Sequence, residues 1–231
     1  MKTTTLTLLL FLTIGFTANA QYKETQFGAF VAQPVGAFGS TDYANDGGYA
    51  ETGWGIIVDD MSRPEGWGNF GYLFHSTYQW NTINTEQLAA DYTEAIGSEF
   101  TATESRYSPL LTTIGPTYDL ELASDLTLGF AAGAGILFNN TRDITLDQYD
   151  SFGNHVESYH IAFDNNVSFA YYGQINLRYT LLRDQVRIAL FADYTGSSQS
   201  TEVRLNGDAI DSKQDITYIT YGLKLILIGK N

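Results

Sequence analysis

The stretch Ala170–Tyr194, AYYGQINLRYTLLRDQVRIALFADY, decides the fold, because it alternates with a period of two. Tyr171, Gly173, Ile175, Leu177, Tyr179 and Leu181 form an apolar series, and Gln174, Asn176, Arg178 and Thr180 lie between them. After Leu182-Arg183-Asp184-Gln185 the alternation restarts: Val186, Ile188, Leu190, Ala192 and Tyr194 on one face, Arg187, Ala189, Phe191 and Asp193 on the other. A period of two is that of a β-strand, and two such runs joined by a short polar turn form a hairpin. The hairpin alone leaves open which face meets water. A soluble sheet exposes its polar face, whereas a membrane barrel turns its apolar face to lipid.

The chain begins with Lys2, an apolar run from Leu6 to Phe16, and Ala18-Asn19-Ala20. This is the pattern of a secretory signal peptide, and the run is too short to span a bilayer. Residues 1–20 are therefore expected to be a leader, and 21–231 a single domain. There is no cysteine, so neither disulfides nor a thiol-linked lipid anchor are available. The formal charge of −14 is unsuited to nucleic acid, which is bound through clustered Lys and Arg.

Eight alternating segments, rich in Tyr, Phe, Thr and Gly, are expected as strands near residues 24–36, 49–60, 67–82, 106–122, 126–139, 160–181, 186–200 and 214–228. Helical patterning is confined to residues 85–96. The connections 61–66, 123–125 and 182–185 are short, while 37–48, 83–105, 140–159 and 201–213 are long. This alternation, with strands mostly of twelve residues or more, is that of a membrane barrel with short periplasmic turns and long extracellular loops. Interfacial girdles are expected from Trp67, Phe70, Trp80, Phe138, Tyr171, Tyr179, Tyr194 and Tyr221. With aliphatic residues facing lipid, the charges turned inward are Asp119, Glu121, Arg178, Arg187, Asp193 and Lys224, three acids against three bases. In a narrow barrel they would lie close together and pair.

The leader ending Ala18-Asn19-Ala20, the segment Phe30-Val31-Ala32-Gln33-Pro34-Val35-Gly36-Ala37-Phe38-Gly39, the strand Gly53-Trp54-Gly55-Ile56-Ile57-Val58 and the glycine-rich Leu128-Gly129-Phe130-Ala131-Ala132-Gly133-Ala134-Gly135 resemble the small outer membrane β-barrels of Gram-negative bacteria, the OmpA/OmpX/OmpW-like group. The resemblance covers nearly all of residues 22–228. It implies an all-β, closed, antiparallel, eight-stranded up-and-down transmembrane β-barrel in the outer membrane, with lipid and the barrel-insertion machinery as partners. Barrels of this group usually end on an aromatic residue, whereas this chain ends Gly229-Lys230-Asn231.

No nucleotide-binding or zinc motif occurs, and no cofactor, metal or catalytic residue is expected. His75 is followed by Ser76, which the strand period puts on the opposite face, so an interior hydrogen-bonding histidine is expected there. His155 and His160 fit no standard metal spacing. Of the 26 acids, 14 fall in the four long connections: Asp42, Asp46, Glu86, Asp91, Glu94, Glu99, Glu104, Asp143, Asp147, Asp150, Glu157, Glu202, Asp208 and Asp211. Such a rim is suited to solubility, to divalent cations bridging surface glycolipid, or to a basic partner. The expected function is structural or interactive and non-enzymatic. The alternatives are an OmpW-like conduit for small hydrophobic molecules, a soluble lipocalin-like barrel with Ile175, Leu177, Ile188 and Leu190 inside, and a lipid-modifying enzyme.

Overall fold

The computed structural model describes residues 20–42, 47–163, 166–182, 185–205 and 208–230. Residues 1–19 of the leader expected at 1–20 lie outside them, as do Asp46 and the side chains of Glu202, Asp208 and Asp211. Twelve strands follow in chain order: β1 (Ala20–Pro34), β2 (Gly53–Pro64), β3 (Phe70–Thr82), β4 (Glu99–Ala102), β5 (Arg106–Tyr107), β6 (Leu110–Ala123), β7 (Leu126–Asn139), β8 (Ile144–Tyr149), β9 (His155–Phe163), β10 (Asn166–Leu182), β11 (Val186–Leu205) and β12 (Asp208–Lys230). Eight of them, β1, β2, β3, β6, β7, β10, β11 and β12, pair as antiparallel neighbours, and β1 pairs with β12 to close the ring.

The register fixes the shape. A circuit starting at Pro34 passes through Tyr218, Thr195, Tyr172, Gly133, Gly115, Leu73 and Met61, and returns to β1 at Glu24. That is a stagger of ten residues around eight strands. At roughly 3.3 Å per residue and 4.8 Å between strands, it tilts the strands about 40° from the barrel axis, within the usual range for closed barrels.

One rim carries the start of β1, the end of β12 and the three short connections. At the other rim lie the long connections, and they are structured. Helix α1 (Thr85–Ile96) starts at Asn84, whose side chain accepts the Gln87 amide at 3.0 Å, and ends at Gly97 in the left-handed region (φ 77°). Its Leu88 and Ala89 are buried against Phe38, Phe100, Ile144 and Leu146, forming an apolar cap continuous with Leu111, Leu137, Ile216 and Tyr218 in the barrel mouth. The strands β9, β8 and β4 extend the sheet outward from β11.

Two expected boundaries are corrected. Residues 201–213, expected as a loop, continue the strands, with β11 and β12 paired from Val186↔Leu227 to Leu205↔Asp208. Beyond the lipid a strand needs no apolar face, so its polar composition resembles that of a loop. The single strand expected at 160–181 is instead the end of β9 and then β10, because β9 leaves the barrel wall to pair with β8.

Candidate functional site

The hairpin of β10 and β11 has its apolar face outside. Ile175, Leu177, Ile188 and Leu190 are exposed, whereas Gln174, Asn176, Arg178 and Asp193 are buried in the lumen. The same phase holds on β12, where Ile219, Tyr221, Leu223, Leu225 and Leu227 are exposed, and Thr220 and Lys224 are buried. An apolar wall around a polar interior is the polarity of a barrel solvated by lipid, and it excludes the lipocalin-like arrangement.

The lumen holds two charged layers. Near the short-turn rim, Arg178 donates to Asp119 at 2.8 Å and lies 3.5 Å from Glu24. Asp119 also accepts from Arg63 at 2.6 Å. Glu24 accepts from Arg187 at 2.9 Å, Tyr22 at 2.5 Å and Gln26 at 3.1 Å. Further up, Lys224 donates to Asp59 at 2.5 Å and to Gln174 at 2.9 Å, with its ammonium 4.4 Å from the centre of the Phe191 ring. Asp59 also meets His75 Nδ1 at 2.8 Å, and the His75 ring stacks on Tyr172 with 4.4 Å between centroids. Asp193 accepts from Thr220 at 3.1 Å. Four cations thus face four carboxylates and a histidine.

Of the residues expected inside, Asp119, Arg178, Asp193 and Lys224 are buried there, and Arg187 is partly open at the rim. Glu121 is corrected: it is exposed next to the β6–β7 turn, where the register shifts between Glu121 and Ala123 and the strand has run past the end of the lumen. Sequence reasoning omitted Glu24, Asp59 and Arg63. His75 faces the lumen, while Ser76 hydrogen-bonds toward Leu111 and Thr112 in the neighbouring strand.

The expected aromatics all lie on the outer wall or its rims. Trp67 and Phe70 are exposed at the short-turn rim, with Phe70 against Tyr118 at 4.8 Å and Tyr179 also exposed. At the long-loop rim the Trp80 ring packs against Trp54 at 4.3 Å with the planes tilted by 34°, Phe138 is half-buried, and Tyr171 faces Tyr194 at 6.3 Å. Tyr221 is exposed two residues nearer the belt centre than Ile219, the partner of Tyr194.

Above the mouth, Tyr107 donates to the Gly48 carbonyl at 2.8 Å and accepts from Gln214 at 2.9 Å; burial pushes its hydroxyl up to about 12. In the β8–β9 hairpin, Asp150 accepts from the Asn154 side chain and from the amides of Asn154 and Phe152, which holds its carboxyl below the usual range. His155 lies 3.5 Å from Asp147, and His160 meets Thr145 at 3.2 Å. Among the described residues no group of three or more His, Asp or Glu side chains is placed to hold a metal. Two open clefts of about 330 and 480 Å³ adjoin each other on the long-loop rim, and Arg106 and Arg142 line both.

Fold, lipid-facing belt and polar lumen define an integral β-barrel of the outer-membrane type. No protein-family model matches the sequence, and no curated protein matches it either. Among solved structures, the outer membrane protein OprG of Pseudomonas aeruginosa is similar over 92% of this chain and 98% of its own, at 8% identity and a TM-score of 0.55. A major outer membrane protein of Thermus thermophilus aligns over 90% of this chain and 99% of its own at 10% identity, with a TM-score of 0.47. Neisserial surface protein A aligns over 89% and 96%, at 10% identity and 0.45. The likeness to OprG is one of fold.

Proposed function

We propose that this protein is a sealed, non-enzymatic outer-membrane barrel of a Gram-negative envelope, whose work is done by its wall and by the surface above it. The observation that supports the reading is the ion-paired network inside the lumen, with an apolar cluster above it at the mouth. The lower half carries the ion-paired layers around Asp119–Arg178 and Asp59–Lys224, and at the mouth Phe38, Tyr107, Leu111, Leu137 and Tyr218 belong to one buried apolar cluster. An ion crossing this interior would have to break buried pairs at several kcal/mol each. His75, the strand histidine next to a serine, is engaged by Asp59 and Tyr172, which supports a structural role over a hydrolytic one.

The test is conductance of the purified protein in planar bilayers. Insertion without sustained open steps is the expected result. Long-lived steps of constant amplitude would replace the sealed barrel with a pore.

A further inference from the structure

Arg106 and Arg142 stand opposite each other at the long-loop rim. Tyr107 and Thr141 form an antiparallel bridge and are buried, so the next position on either chain turns to the opposite face. Those positions are Arg106 and Arg142, whose backbones are joined by the Arg142 amide donating to the Arg106 carbonyl at 3.2 Å. Both side chains are exposed, and among the described residues neither has a carboxylate within ion-pair distance. Like charges directly across a strand pair are unfavourable. Here they are kept together in a chain with only 12 Lys and Arg against 26 acids.

Their position indicates what they face. Arg106 lies opposite Thr82, two residues beyond Trp80, and the contacting Trp54–Trp80 pair lines one of the two clefts with them. Tryptophans of such a belt lie at headgroup level, so the two guanidiniums sit just above the hydrocarbon on the outer wall. Guanidinium forks match the oxygens of a phosphate, and two of them can share one dianion. Glu104 and Asp143 flank the clefts and, with the net negative charge, disfavour a free anion arriving from bulk water. A phosphate tethered to a lipid is already concentrated at this height.

We propose that Arg106 and Arg142 form a binding site for a phosphate group of an outer-leaflet glycolipid, whose acyl chains descend the belt past Trp54, Trp80 and Ile56.

The full-length protein in phosphatidylcholine nanodiscs would be titrated with fluorophore-labelled, bis-phosphorylated lipid A, read by energy transfer from tryptophan. The same lipid A with its phosphates removed enzymatically serves as the comparison. Saturable transfer with the phosphorylated form is expected, weakened about tenfold or more in Arg106→Gln/Arg142→Gln. Arg142→Lys, which retains charge but loses the fork, is expected to fall between the two. Folding of each variant is checked by its heat-modifiable migration. Equal transfer with dephosphorylated lipid A, an unchanged titration in the folded double variant, or displacement by inorganic phosphate at the same concentration as the lipid would overturn the proposal.

Discussion

Arg178 on β10 and Asp119 on β6 meet at 2.8 Å with both side chains shut away from water, across a lumen in which Glu24 and Arg63 complete the same layer. Removing one partner leaves a buried charge without its counterion, which costs far more than the pair contributes relative to apolar replacements. Asp119→Asn is expected to lower stability by about 3–5 kcal/mol, and Asp119→Leu/Arg178→Met to cost less than the sum of its single changes. Urea unfolding in lipid vesicles, followed by tryptophan fluorescence, checks this. Additive losses would show that the two residues are not coupled.

Tyr172 is held between His75, on which it stacks, and Gly133, its cross-strand partner. A Cβ at Gly133 would come within 2.5 Å of the Tyr172 ring and 2.8 Å of the Ile114 carbonyl oxygen. Gly133→Ala is therefore expected to displace the ring, loosen His75 from Asp59 and cost about 1–3 kcal/mol. Gly173→Ala, where a Cβ meets nothing within 4 Å, is the control. A equal loss in both would mean that general strand disturbance, not the ring contact, is responsible.

The interior was only partly legible in the sequence, for a reason visible at Asp59. Ile56 and Val58 lie on one face of β2 and Ile57 and Met61 on the other, so hydrophobicity marks no phase there, and Asp59-Asp60 supplies an acid to each face. Only the closed register shows that Asp59 is the one turned inward, with Asp60 bonded to Thr25 on the outer side. On β10 and β11 the contrast between faces is sharp, and Arg178, Arg187 and Asp193 could be placed from the alternation alone. Glu121 obeys the same alternation, but periodicity does not mark where a lumen ends. The like-charged pair at Arg106 and Arg142 was invisible because its members are 36 positions apart: Arg106 only opens the segment expected at 106–122, and Arg142 falls in the connection 140–159, outside any patterned run.

All three tryptophans lie at the rims of the belt, Trp67 at one and Trp54 and Trp80 at the other. Lipids brominated near the headgroup should quench their fluorescence more than lipids brominated near the acyl terminus. The reverse order would invalidate the depth assigned to the belt.

The Asp150 carboxyl is held low chiefly by the Asn154 side chain, then by the Asn154 amide. A carboxylate depressed in the folded state stabilises its hairpin above the ordinary aspartate value near about 4, and that contribution is lost as pH falls through the lower folded value. Cleavage at the β8–β9 tip by an acid-active protease should rise more steeply below pH 4 in the wild type than in Asp150→Asn. Parallel profiles would exclude Asp150 as the titrating group.

The pairing of β1 with β12, from Tyr22↔Lys230 to Pro34↔Tyr218, joins nearly the first described residue to nearly the last. No smaller circle of strands is available on the way, and Glu24 meets Arg187 only after β11 has arrived. No subset of the eight wall strands therefore forms a closed barrel on its own. The alternation of each wall strand also leaves the described residues without a helix long and apolar enough to cross a membrane, so the wall spans lipid only as paired strands. Closure of the ring waits for β12, the last of the wall strands in chain order.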